Sequence, residues 1–280
     1  MKQLGVAYVS DSNNFQSIDK ACVPLTDTGF QRGVGVFEVL ITYKGKPMAL
    51  KEHLERLKRS SKAIGLKQVY SSEFIEQKIL EGISKVPLDQ IMIRIIITGG
   101  DSNNFLFKTD PRLAILFLPL KSYPEFYFTK GVKLLSSKLQ RIVPEIKSLN
   151  YLAGHLAFHA ALKKGYHEGI YVDRHGEILE GTTFNFAIIV GNTVISPEEG
   201  ILPGITIEIA LKLAKKLGLR IQRRPIHVRE LPYANEAFLT SSNREIMPVV
   251  QVDDIKIGDK KPGPVTCKLL EEYRKLAFLK

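Results

Sequence analysis

Cysteine is scarce in this 280-residue chain. Cys22 and Cys267 lie far apart and fit no metal or redox spacing, which excludes a disulfide scaffold and a cysteine-based zinc module and leaves two free thiols. Long apolar runs are missing as well. The opening Met1-Lys2-Gln3-Leu4-Gly5 has no run of signal-peptide length, and no stretch is long enough to span a bilayer, so the sequence reads as a soluble, cytoplasmic protein. There is no repeat of solenoid period and no low-complexity tract. Nucleic-acid motif spacings are also absent. The net charge of +11 admits an anionic partner, yet the lysines and arginines are interleaved with glutamates along the chain. A solvated basic surface is expected from that pattern, with no nucleic-acid and no membrane partner.

What is present is the composition of an ordinary globular protein, 44% hydrophobic and 25% charged, long enough for two domains or one large one. Strands are predicted over 4–9 and 34–43, rich in β-branched and aromatic residues, the second closed by Lys44-Gly45. Leu50, Leu54 and Leu57 recur at helical spacing and predict an amphipathic helix over 50–61, on which His53 and Arg56 are neighbours three apart. Ser71-Ser72 opens a second helix over 72–84. Strands follow over 90–98 and 113–118. A boundary is placed in the Pro- and aromatic-containing stretch after residue 119: a smaller α/β domain over 1–120, a linker over 121–131, and a larger α/β domain over 132–280 carrying Lys147. That larger domain mixes strands over 133–136, 168–172, 185–190 and 236–240 with helices over 152–164, 206–217 and 264–278.

Several residues stand out by their setting. Arg94 interrupts the apolar run Ile91-Met92-Ile93-Arg94-Ile95-Ile96-Ile97. A buried unpaired charge is costly, so Arg94 sits at an exposed edge or faces a cavity holding an anion, and the cavity is the expectation. Gly204-Ile205-Thr206 precedes a helix, where free N–H groups and the helix dipole attract an anion, and Thr206 also suits a helix cap. The Gly29, Gly33 and Gly35 cluster marks a bulge or a close backbone approach. The loop 99–105 reads as a mobile rim over a pocket. His155 and His159 are four apart on a helix, a metal-ligand spacing, but no third ligand is visible and no metal is expected.

Four blocks then recur in order: Ile146-Lys147-Ser148-Leu149-Asn150-Tyr151, Glu180-Gly181-Thr182-Thr183-Phe184-Asn185, Ile201-Leu202-Pro203-Gly204-Ile205-Thr206, and Thr240-Ser241-Ser242-Asn243-Arg244-Glu245. Together with the opening block from Asp27 to Glu38 and the His53-to-Ser60 segment, they resemble the class IV aminotransferases, the pyridoxal-phosphate enzymes of fold type IV. The resemblance implies a two-domain mixed α/β (α+β) fold and a homodimer with a shared active site. It implies that Lys147 carries pyridoxal 5'-phosphate through its amine and moves the substrate proton, while Glu180 pairs with the pyridine nitrogen. Arg56, Ile205, Thr206 and Ser242 would hold the phosphate, and Tyr151 would stand near the phenolic oxygen. Arg32, Phe37, Arg94 and Asn243 become substrate-binding candidates, with Arg32 and Arg94 gripping the carboxylate.

The substrate stays open among family members. Gly99-Gly100-Asp101-Ser102 stands where D-amino acid enzymes carry R-x-H, while Met92 and Ser241-Ser242-Asn243 depart from the usual branched-chain tyrosine and Gly-Thr-Ala turn. Branched-chain transamination with a 2-oxo acid such as 2-oxoglutarate is the favoured reading. A D-amino acid aminotransferase is the alternative, then an aminodeoxychorismate lyase, and outside enzymes an inactive basic binding protein.

Overall fold

The computed structural model describes residues 5–102 and 110–279. Leu4 and the Asn103, Asn104 and Phe105 part of the expected rim lie outside the described residues. The chain divides into two compact units: Met1–Lys121 with Ile146–Asn150, and Ser122–Glu145 with Tyr151–Lys280.

The first unit contains β1 (Val6–Val9), β2 (Asn14–Ser17), α1 (Thr28–Arg32), β3 (Gly35–Tyr43), β4 (Lys46–Pro47), α2 (Leu50–Ala63), α3 (Ser72–Ser84), β5 (Ile91–Thr98) and β6 (Arg112–Pro119). Its strands form one sheet in the order β2-β1-β6-β5-β3-β4, antiparallel throughout. The period-2 alternation of β5 explains its placement. Ile91, Ile93, Ile95 and Ile97 enter a core with Leu54 and Leu57 of α2 and Ile75 and Ile79 of α3, which turns Met92, Arg94 and Ile96 to the opposite face. Arg94 is exposed there, on a strand flanked by β3 and β6. Arg94 is therefore not at a sheet edge: the alternation lets a charge occupy a central strand without burial. Of the glycine cluster, Gly29 lies in α1 and Gly35 opens β3, so a short helix precedes the expected strand. Asp27 caps the helix by accepting from Gly29 N at 2.7 Å, and Gly33 closes it at φ 69°.

The second unit contains α4 (Phe126–Lys130), β7 (Val132–Ser137), α5 (Leu152–Lys163), β8 (Glu168–Val172), β9 (Glu177–Gly181), β10 (Asn185–Val190), β11 (Thr193–Ser196), α6 (Ile205–Lys216), β12 (Arg220–Arg223), β13 (Ile226–His227), β14 (Glu236–Ser241), β15 (Glu245–Val252), β16 (Ile255–Lys256) and α7 (Pro264–Leu279). Its sheet runs β12-β11-β10-β14-β15-β7-β8-β9-β13, with β16 on β15. Parallel pairs at β11–β12, β15–β7 and β7–β8 make it mixed. Phe186, Ile188, Ala237, Phe238, Leu239 and Ile246 are among its fully buried residues.

The units differ from the expected domains in two places. The expected linker contains α4 and belongs to the second unit. The segment bearing Lys147 belongs to the first, because its backbone pairs with β3, as described next.

Candidate active site

Lys147 is held by its main chain. Phe37 N donates to Lys147 O at 2.9 Å and Leu149 N donates to Gly35 O at 2.9 Å, and Val36 and Ser148 form an antiparallel bridge. Ser60 Oγ accepts from Lys147 N at 3.3 Å. The approach is close enough that a Cβ on Gly35 would lie 2.6 Å from Leu149 Cδ1 and 2.8 Å from Ile97 O, so glycine is required by space there. The Lys147 Nζ stands 4.6 Å from the Phe37 ring centroid, within cation–π range. Two expected site residues are thus in contact.

Behind them lies a buried ionic cluster. Glu38, fully buried, accepts from Arg56 Nε at 2.7 Å and Arg56 Nη2 at 2.7 Å, and from His53 Nδ1 at 2.7 Å. Burial alone would raise the Glu38 carboxyl, but the Arg56 charge and the hydrogen bonds from Arg56 and His53 outweigh it and hold the pKa down at about 2. Burial depresses His53 below the ordinary imidazole range; Glu38 opposes this, and the charges of Arg56 and Lys147 reinforce it. Arg56, expected at a phosphate, therefore has one edge of its guanidinium fork occupied by Glu38. Glu38 was part of the quoted opening block but had no role assigned, since nothing in a strand pattern shows which helix side chain will reach it. Arg32 at the end of α1 is exposed, and one of its Nη1 bonds goes to Gln31 O at 3.1 Å.

In the second unit, Glu180 lies on β9 and is buried. Arg141 Nη1 donates to its Oε1 at 2.8 Å, and Leu202 N donates to its Oε2 at 3.0 Å. Leu202 begins the run into α6, so the acid and the start of that helix are tied directly. Gly204 occupies the N-cap of α6 with no side-chain cap. A Cβ there would fall 1.8 Å from Asn185 Oδ1, while Asn185 Nδ2 donates to Leu202 O at 2.8 Å. The helix start thus presents main-chain donors beside Ile205 and buried Thr206, an arrangement suited to an anion. Tyr151 is half-buried at the N-cap of α5. Ser242 and Asn243 are half-buried in the turn between β14 and β15, where Ser241 Oγ donates to Asn243 Oδ1 at 3.0 Å.

Arg141 and Tyr171 gave no usable signal in the sequence. Arg141 falls in an irregular segment, and Tyr171 reads as one more apolar strand residue. The Tyr171 hydroxyl is buried without a hydrogen-bond partner among the described residues, and burial pushes its pKa up to about 12. His155 and His159 are exposed on α5, their rings 4.3 Å apart. Among the described residues, no group of three or more His, Cys, Asp or Glu is placed to hold a metal, and no helix is long and apolar enough to cross a membrane. A cavity of about 1050 Å³ in the second unit, lined by Phe128, Leu270, Phe278 and a lysine-rich rim, contains none of the expected site residues.

The sheet-paired lysine of the first unit, and the buried acid and helix start of the second, are groups that a phosphorylated carbonyl cofactor can use. The family model for amino-transferase class IV matches residues 35–252, and the chain belongs to the class IV aminotransferases, pyridoxal-phosphate-dependent transaminases of fold type IV. It is 31% identical to a putative branched-chain-amino-acid aminotransferase of Methanocaldococcus jannaschii over 91% of each chain. It is 29% identical to a D-alanine aminotransferase of Listeria monocytogenes over 94% of this chain and 93% of that one. Among solved structures it resembles the branched-chain amino acid aminotransferase of Escherichia coli, with TM-score 0.91, 26% identity, and coverage of 97% of this chain and 94% of that chain. The enzyme acts on amino and 2-oxo acids, as the family does.

Proposed function

We propose that Lys147 is the residue that holds pyridoxal 5'-phosphate and moves the substrate proton, and that the favoured substrates are branched-chain amino acids with a 2-oxo acid acceptor. The observation that carries the lysine assignment is its pinned backbone: Lys147 bonds to Phe37 N and Ser60 Oγ while the adjoining Leu149 N bonds to Gly35 O, ties a flexible surface lysine has no need of. The donors present in each unit fit the cofactor. Lys147 supplies the amine, and Glu180, oriented by Arg141 and Leu202, supplies an acid to hold a proton at the pyridine nitrogen. The main chain at Ile205 and Thr206, the Thr206 and Ser242 hydroxyls and the Arg56 guanidinium serve the phosphate, with Glu38 and His53 fixing the Arg56 fork. Tyr151 is assigned to the phenolic oxygen. When bound, the cofactor supplies the electron sink that lets the substrate Cα–H bond break. Lys147 Nζ would take that proton from Cα and pass it on, not back to Cα, as transamination requires, and this role demands a neutral amine.

Arg32, Arg94, Phe37 and Asn243 are assigned to the substrate. Both arginines are exposed within one chain, which suits a site completed by a second copy. The outward leucines of α5 support that arrangement: Leu152, Leu156 and Leu162 are all exposed beside the small residues Ala153 and Ala160, on a helix that is apolar on several sides. We assign this face to a homodimer, and the protein to the cytoplasm on its free cysteines.

The relatives named as branched-chain enzymes support the L-branched-chain reading, and the D-alanine aminotransferases support the D-specific alternative. The test is the visible spectrum of the pyridoxal-loaded protein during addition of L-leucine, L-glutamate, D-alanine and D-glutamate in turn. Bleaching by L-leucine and L-glutamate is expected. Bleaching by the D-acids alone transfers the enzyme to the D-specific branch. For the carboxylate, Arg94→Leu should raise KM about tenfold with a smaller change in kcat, the scale of one charged hydrogen bond; an unchanged KM removes Arg94 from the site.

A further inference from the structure

The turn that follows β14 ends on Arg244, a residue no role above requires. It is buried and both ends of its fork are engaged inside the second unit. Nη1 donates to Thr183 Oγ1 at 2.6 Å and Nη2 to Glu168 Oε2 at 2.7 Å. The other oxygen of Glu168 accepts from Thr182 Oγ1 at 2.7 Å and from Gly169 N at 3.0 Å. The guanidinium carbon lies 4.9 Å from the Tyr123 ring centroid and 5.8 Å from that of Phe184.

These contacts join two turns that are remote in sequence. One is Thr182-Thr183-Phe184, immediately after Glu180. The other is Ser241 to Arg244, closed by Arg244 N donating to Ser241 O at 3.2 Å. The buried Glu168 carboxylate sits between them and takes a donor from each. A lysine cannot reproduce this, because a point charge on a flexible stem lacks both the planar fork and the flat face that stacks on rings.

We propose that Arg244, through Glu168 and Thr183, is a positioning residue that locks the Glu180 turn to the Ser242–Asn243 turn and so fixes the second unit's share of the cofactor and substrate contacts. The inference rests on the assignment of Glu180, Ser242 and Asn243 made above. Arg244 touches neither reacting group; it acts by holding the turns that do.

The sharpest variants are on Thr183, which is exposed, so folding does not hinge on it. Thr183→Val removes the hydroxyl that receives Nη1, and Thr183→Ser keeps it. Retention of pyridoxal phosphate by the holoenzyme on dilution, KM, kcat and Tm are measured for both, alongside Arg244→Lys. Thr183→Val and Arg244→Lys should each weaken cofactor retention about tenfold and raise KM for the amino acid severalfold, while Thr183→Ser matches the parent. Retention and KM unchanged in both Thr183→Val and Arg244→Lys overturn the proposal. So does a loss seen only in Arg244→Lys and accompanied by a fall in Tm, which marks Arg244 as a fold element alone. Parent protein that holds no pyridoxal phosphate at all overturns the underlying assignment first, and this inference with it.

Discussion

Lys147 and Glu180, the proposed amine and acid of this enzyme, are positioned by different means. Lys147, in the first unit, is set by main-chain hydrogen bonds to β3, and the identity of its neighbours Ser148 and Leu149 matters little to those bonds. Glu180, in the second unit, is set by a side-chain partner, Arg141, and one main-chain donor, Leu202. Backbone pairing fixes where the chain runs and leaves the side chain to its chemistry. Ion pairing fixes a side chain directly and makes its place depend on a second residue that can be lost. The lysine half should therefore separate function from stability cleanly, and the acid half should not.

Removal of the amine is the largest break. Lys147→Ala should lower kcat by at least about 10³-fold, the loss expected of a positioned proton-transfer group, while Tm stays within a few degrees because every anchoring bond is main-chain; steady-state rates and a melting curve decide both halves. Next comes a buried cluster in the first unit where side chains do the holding. Glu38→Gln breaks a fully buried pair with Arg56 and should cost about 3–5 kcal/mol in denaturant unfolding. The pH dependence follows the same carboxylate. Its folded pKa, about 2, lies below the unfolded value of about 4.3, so its contribution is fully present above the unfolded value and is lost as pH falls through about 2. The parent should lose stability over that acid window, and Glu38→Gln should lack that component.

Arg141→Leu sharpens the comparison from the other side. It removes the Arg141 guanidinium from Glu180, and should weaken cofactor retention about tenfold along with a lower Tm; if function falls with Tm unmoved, the acid is not held by this pair. The smallest effect is expected at Tyr171→Phe. Its buried hydroxyl has no partner among the described residues, so stability should change by no more than about 0.5 kcal/mol, or rise slightly. A clear loss of activity there would show instead that the hydroxyl serves a bound molecule.

Most of the framework was legible in the residues. The Leu50, Leu54 and Leu57 stripe predicts α2, and the alternation around Ile91 to Ile97 predicts β5; both patterns are local and periodic. The strands β9, β11, β12 and β15 were not predicted: the first three are four or five residues long or carry charges, and Pro248 interrupts the run of β15. The two-unit division misplaced Lys147 because its partner, β3, is about a hundred residues away in sequence. Around the site, motif residues such as Glu180 and Gly204 were visible by spacing, whereas Arg141, Glu168 and Arg244 acquire meaning only through contacts across the sheet. Arg94 was legible in part: the cost of burying a charge predicts that it escapes burial, while the open face of a central strand shows only once β5 is paired with β3 and β6.

The most direct test of the central assignment is chemical. The pyridoxal-loaded protein is reduced with borohydride, digested, and its peptides are mapped by mass. A pyridoxyl phosphate mass on the peptide containing Lys147, and on no other, is the predicted result. Label on a different lysine, or none on loaded protein, contradicts it.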